Sequence, residues 1–169
     1  MPELGSIGIA ERRLSEFLAS VGGSVRATKR STHCGPDLVL KAVVRGKPIT
    51  IIAEFESRLA SAAVSRDFKY ALTMFSGAAR VAPAVRYNFT TFYYSGVLDD
   101  LIKELEIKPV PTGANVWVFE PIDEGVYYGL QERDGIPVVS NVQLYLDLIN
   151  FKGRGEEQAA EIREQALGF

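Results

Sequence analysis

Cysteine is almost missing from this chain: Cys34 stands by itself among 169 residues, which excludes an intrachain disulfide and a thiolate zinc site. Histidine is as scarce, His33 being the single one, so a histidine-based zinc site is not expected either. No run of eighteen apolar residues occurs, which argues against a membrane-spanning helix. No charged-then-apolar leader opens the sequence, so a secretory signal is not expected and the cytoplasm is the expected compartment. A strong charge of one sign is lacking too. The formal net charge of −2 argues against a protein that coats nucleic acid by electrostatics alone.

What is present is ordinary for a globular protein. Hydrophobic residues make up 47% and charged residues 24%, and the length suffices for one domain, residues 1–169, with a genuine core. The charge is unevenly spread. Residues 1–69 carry eleven Lys and Arg against seven Asp and Glu, net +4, whereas residues 70–169 carry eight against fourteen, net −6. Arg30, Lys47 and Arg58 belong to the basic part, and a polyanion approaching it meets cations, so a nucleic-acid ligand is one expectation. A plain solvated surface is the other.

The stretch Gly35 to Ser57, GPDLVLKAVVRGKPITIIAEFES, reads as a β-hairpin. Leu38–Val44 and Ile49–Phe55 are rich in Val and Ile, and Arg45-Gly46-Lys47-Pro48 between them has turn composition. On a strand, Glu54 and Glu56 share one face, and an antiparallel return brings Asp37 to the same end. Three carboxylates so gathered need a hard divalent cation, a nearby Lys or Arg, or a proton to offset their repulsion. The other reading is the solvated face of an amphipathic hairpin.

The rest of the chain alternates helical and strand signals. Ile7–Val21 has helical periodicity ended by Gly22-Gly23, with Glu11 and Glu16 on it; Ser24–Thr28 has strand composition, and the polar loop after it holds His33. Ser57 to Gly77 reads as a helix packed on the sheet and carrying Arg58 and Lys69. Val81–Tyr94 has a strand composition with Pro83 at its start, Val97–Ile107 is an amphipathic helix, and Asn115–Glu120 is a strand. Gln131–Gly135 is a loop, Ile136–Val139 a short strand, and Ser140 an N-cap for a helix from Val142 to about Ile149. Gly153-Arg154-Gly155 separates that from a last helix, Glu156–Leu167.

Two resemblances follow from these motifs. Gly35-Pro36-Asp37 followed by Glu54-Phe55-Glu56 resembles the core of the PD-(D/E)XK nuclease superfamily, in which an Asp opens one strand and Glu-x-Lys closes the next; Glu56 stands where that family usually has lysine. The fold this implies is α/β: a restriction-endonuclease-like core over residues 1–110, a central mixed sheet flanked by helices, and a helical C-terminal extension over 111–169. The chemistry it implies is Mg²⁺ or Mn²⁺ held by Asp37, Glu54 and Glu56 for phosphodiester hydrolysis, with Lys69 or Arg58 on the scissile phosphate. The C-terminal half, through NVWVFEP, DGIPVVS, VQLYLDL and GRGEEQAA, resembles AbiEi-family antitoxins of type IV toxin–antitoxin systems. That resemblance implies a regulator that binds DNA at its own promoter and opposes a nucleotidyltransferase toxin. Members usually begin with a winged helix, which residues 1–24 are too short to make. Taken together the two resemblances lead to an antitoxin-like regulator on a nuclease-like scaffold, with a metal-dependent nuclease as the alternative.

Overall fold

In Val116-Trp117-Val118-Phe119 and Thr90-Thr91-Phe92-Tyr93, β-branched and aromatic residues follow one another with nothing to favour a turn, and both runs become central strands. The computed structural model describes residues 37–43 and 48–168. Its strands are β1 (Asp37–Val43), β2 (Lys69–Leu72), β3 (Thr90–Ser95), β4 (Lys108–Pro109), β5 (Val116–Glu120), β6 (Gln131–Arg133) and β7 (Ile136–Val138). Its helices are α1 (Pro48–Arg66), α2 (Met74–Ala78), α3 (Leu98–Leu105), α4 (Asn141–Ile149) and α5 (Gly155–Ile162). A 3₁₀ turn spans Glu124–Tyr127 and a π turn spans Arg163–Leu167.

Among the described residues the strands form one seven-stranded sheet in the order β4-β1-β5-β3-β2-β7-β6. It is mixed: β3 with β5 and β2 with β7 are parallel, while the remaining pairs are antiparallel. Strands from both sides of residue 110 interleave, with β5 between β1 and β3.

The two faces follow from alternation. Phe92 meets Phe55 of α1 with ring centroids 6.2 Å apart, while its neighbour Tyr93 donates to Asp147 of α4 at 3.0 Å. Adjacent strand residues point to opposite faces, so α1 and α4 cover opposite sides of the sheet. On the α1 side Phe55 and Leu59 bury against the strands, and Arg58 donates to the Leu105 carbonyl of α3 at 3.1 Å. On the α4 side Phe89 stacks on Trp117 at 5.0 Å, and Phe151 meets Phe75 edge-on at 5.3 Å. Gln158 of α5, 1% exposed, accepts from the amides of Ala84 and Val85 at 3.2 and 3.0 Å and donates to the Ala82 carbonyl at 2.6 Å. It thereby satisfies a partly buried irregular segment whose backbone has no ladder to join.

Several expectations are corrected. Ile49–Phe55 is not the second strand of a hairpin but the first half of α1, and β1 pairs instead with β5 and β4. Pro48 is the first residue of that helix, the position where its missing N–H costs nothing, rather than the end of a turn. The helix expected to run to Gly77 ends at Arg66: Asp67 turns left-handed at φ 52°, and Lys69–Leu72 is a strand. Gln131–Arg133, expected as loop, pairs with β7 across Asp134-Gly135, both at positive φ, 54° and 74°. The strand expected from Val81 begins at Thr90. The expectations on Ile7–Val21, Ser24–Thr28 and His33 lie outside the described residues.

Gly155 marks the tightest join on the α4–α5 side, since a Cβ there would stand 2.4 Å from the Leu148 carbonyl oxygen and 2.7 Å from Phe151 Cβ. Gly155→Ala is therefore expected to destabilise the protein by about 1–3 kcal/mol. In a thermal melt followed by circular dichroism this lowers Tm by several degrees, at about 2–4 °C per kcal/mol for a chain of this size.

Candidate functional site

The helix over Pro48–Arg66 separates the two glutamates that a strand would have aligned. Two residues on a helix lie about 200° apart around its axis, and accordingly Glu54 faces solvent while Glu56 is 2% exposed. Glu56 Oε2 receives Arg80 Nη2 at 2.6 Å, and Arg80 Nη1 reaches Asp134 Oδ2 at 3.2 Å on the β6–β7 turn. Asp37 opens β1, where its backbone pairs with Glu120. Among the described residues, no group of three or more His, Cys, Asp or Glu stands close enough to hold a metal ion.

The cations expected to face a phosphate are engaged with acids. Arg58 lies 3.6 Å from Glu106. Lys69, expected on a helix, begins β2, pairs with Glu124 and sits 4.2 Å from the Tyr127 ring centroid. Arg58 and Lys69 are half-exposed, so these pairs add little stability. Arg30 and Lys47 lie outside the described residues. At the carboxyl ends of the parallel strands β3 and β5, an open groove of about 360 Å³ is lined by Ser95, Glu120, Asp123 and Glu124.

Two buried carboxylates hold opposite faces of the sheet and are stabilised in different ways. Burial raises the pKa of Glu56, and its hydrogen bond and charge attraction with Arg80 work in the other direction. Tyr70 and Tyr87, also desolvated and beside Glu56, are both pushed up to about 12. Asp147 on α4 has no cation; it accepts from Thr73 Oγ1, from Tyr93 OH at 3.0 Å and from Gln143 Nε2 at 2.8 Å. Burial raises its pKa, and these three donors oppose the rise. Thr91 Oγ1 donates to the Thr73 carbonyl at 2.7 Å and extends the network into β3.

Sequence reading did not single out Arg80, Asp147 or Gln158. Asp147 had a visible signal: it shares the inward side of α4 with Leu144 and Leu148, three and one residues away, so an acid stands in an apolar stripe.

A third feature is a surface. Val142 and Leu146 of α4 are 55% and 49% exposed, and Tyr128 is 86% exposed. The molecule is thus a mixed α/β protein whose buried acids are tied into its own frame. The family model described as "Transcriptional regulator, AbiEi antitoxin, Type IV TA system" matches residues 40–168, and the chain belongs to that family. A search of curated proteins found no match.

Two outcomes follow. Arg80→Met strands Glu56 in the interior and is expected to cost about 3–5 kcal/mol; the double variant Glu56→Met/Arg80→Met is expected to cost less than that single change in urea denaturation. For Asp147 the folded-state pKa lies above the ordinary value of 3.8. The folded state therefore holds the extra proton between the two values, and stability falls as pH rises through that window. Asp147→Asn keeps the Tyr93 and Gln143 bonds on Oδ1, and its amide can donate to Thr73. Its stability relative to wild type is expected to improve as pH is raised from about 4, read by urea denaturation at a series of pH values.

Proposed function

We propose that this chain is the antitoxin-side regulator of a type IV toxin–antitoxin pair, and that it works by binding a partner rather than by hydrolysing phosphodiester bonds. The observation that carries the proposal is the family match, which spans α1, the whole of the sheet from Leu40 onward and both C-terminal helices. The geometry supports the binding half of it. Glu56 is buried and bonded to Arg80 while Glu54 points to water, so the two carboxylates do not address one substrate. Arg58 and Lys69, the groups that would hold a scissile phosphate, contact Glu106 and Glu124 instead. The partner in this reading is the toxin of the chain's own locus, expected to be a nucleotidyltransferase, and promoter DNA is the second ligand that a transcriptional regulator of this family would take.

Co-expression tests it. The wild-type chain is expected to restore growth to cells producing the toxin of its locus, and Asp37→Ala and Glu54→Ala are expected to restore it equally. Failure of the wild type to rescue would overturn the antitoxin reading. Rescue lost in both variants, with circular dichroism showing them folded, would return the metal-dependent alternative.

A further inference from the structure

The two faces of the sheet treat their buried polar groups differently. On the α4 face Asp147 accepts from Thr73, Tyr93 and Gln143, and Ser76 donates to the Phe89 carbonyl at 3.4 Å while accepting from the Thr91 amide at 2.9 Å. On the α1 face, polar atoms of similar burial go without. Glu56 is 2% exposed and Tyr70 4%, yet Glu56 Oε1 and the Tyr70 hydroxyl have no hydrogen-bond partner among the described residues, and neither has Arg80 Nε. Buried polar groups ordinarily have a partner, because the water they lost on folding must be replaced by something.

These three atoms belong to one place. Tyr70 of β2 lies on the α1 side of the sheet: Leu72 pairs with Phe92 there, and two residues return a strand to the same face. Its ring meets Phe92 edge-on with centroids 6.4 Å apart, and Phe92 in turn meets Phe55, the residue before Glu56. Arg80 Nη2 is 2.6 Å from Glu56 Oε2, and the unpartnered Nε and Oε1 belong to the same two planar groups as that contact. The charges of Glu56 and Arg80 both act on the Tyr70 phenol.

The chemistry of the three atoms specifies their occupant. An ionised carboxylate oxygen only accepts, the guanidinium N–H only donates, and a phenol does either. A molecule that bonds all three must therefore accept and donate from one small centre, since Glu56 and Tyr70 have almost no exposed surface. Charge restricts it further. Glu56 and Arg80 offset one another, so a cation would meet the guanidinium and an anion the carboxylate. We propose that a single internal water molecule is held here, accepting from Arg80 Nε, donating to Glu56 Oε1 and bonded to the Tyr70 hydroxyl. About three hydrogen bonds are usual for a buried water. The water joins α1, β2 and the segment after α2 at a point where no side chain bridges all three.

A crystal structure of the full chain, at a resolution that shows ordered water, is the test. A water-sized peak is expected within hydrogen-bonding distance, about 2.5–3.2 Å, of Glu56 Oε1, Arg80 Nε and the Tyr70 hydroxyl. Tyr70 bonded directly to Glu56 Oε1, density too large for one oxygen, or no density at the site overturns the proposal. In solution, oxygen-17 magnetic relaxation dispersion counts long-lived internal waters. Glu56→Met/Arg80→Met, which removes both charged partners, is expected to lose one such water relative to wild type. Should that variant fail to fold by circular dichroism, Tyr70→Phe keeps the ring and is expected to shorten the water's residence about tenfold, the effect of one lost hydrogen bond. An unchanged count in the first variant, or an unchanged residence time in the second, also overturns it.

Discussion

Strand β5 has to satisfy two neighbours of opposite sense at once, and much of the molecule is arranged by that requirement. It runs antiparallel to β1 through Leu40↔Val118 and parallel to β3 through Phe92↔Val118, joining segments around residues 40, 92 and 118 in a single ladder. Because side chains alternate, this register turns Val118 and Phe92 toward α1 and turns Trp117, Phe119 and Tyr93 toward α4. A slip of one residue in β5 would exchange these faces. It would aim the indole of Trp117, which stacks on Phe89 at 5.0 Å, at the wrong layer.

Once both faces are covered, each cover brings an acid with it. Glu56 enters with α1 because it shares the inward side with Phe55 and Leu59, and Asp147 enters with α4 beside Leu144 and Leu148. A buried carboxylate is costly unless it is paired or fully hydrogen-bonded. Arg80 supplies a cation to the first and, by reaching Asp134 as well, ties α1 to the β6–β7 turn. Three neutral donors supply the second and tie α4 to β2's end and to β3. Such networks contribute less to net stability than to fixing one arrangement, since any other packing leaves a charge unpaired. That is a frame suited to presenting surfaces.

The C-terminal half was the more legible part of the sequence. Ser140 caps α4 by accepting the Gln143 amide at 3.2 Å, and β5 and β7 fall where β-branched runs placed them. The misreadings have physical causes. Ile49, Thr50, Ile51 and Ile52 have strand propensity, but a longer helical pattern carried by Phe55, Leu59 and Ala62 overrode it, with Pro48 as the start signal. Lys69–Leu72 is too short for periodicity to tell strand from helix. Asp134-Gly135 is a strong hairpin signal by its turn chemistry, and reading it as plain loop hid β6. The carboxylate cluster failed with the hairpin: a two-residue spacing converges on a strand and diverges on a helix. Arg80 and Gln158 had no local signal, because their partners lie 24 and 73–76 positions away in the chain.

In the proposed reading Glu56 serves the fold, Glu54 points to water, and the protein acts by binding a partner. Calorimetric titration of Mn²⁺ into the purified protein, and into folded Asp37→Ala and Glu54→Ala variants, tests it most directly. No saturable heat of binding that depends on these residues is expected. Sub-millimolar binding to the wild type, abolished by both substitutions, would contradict it.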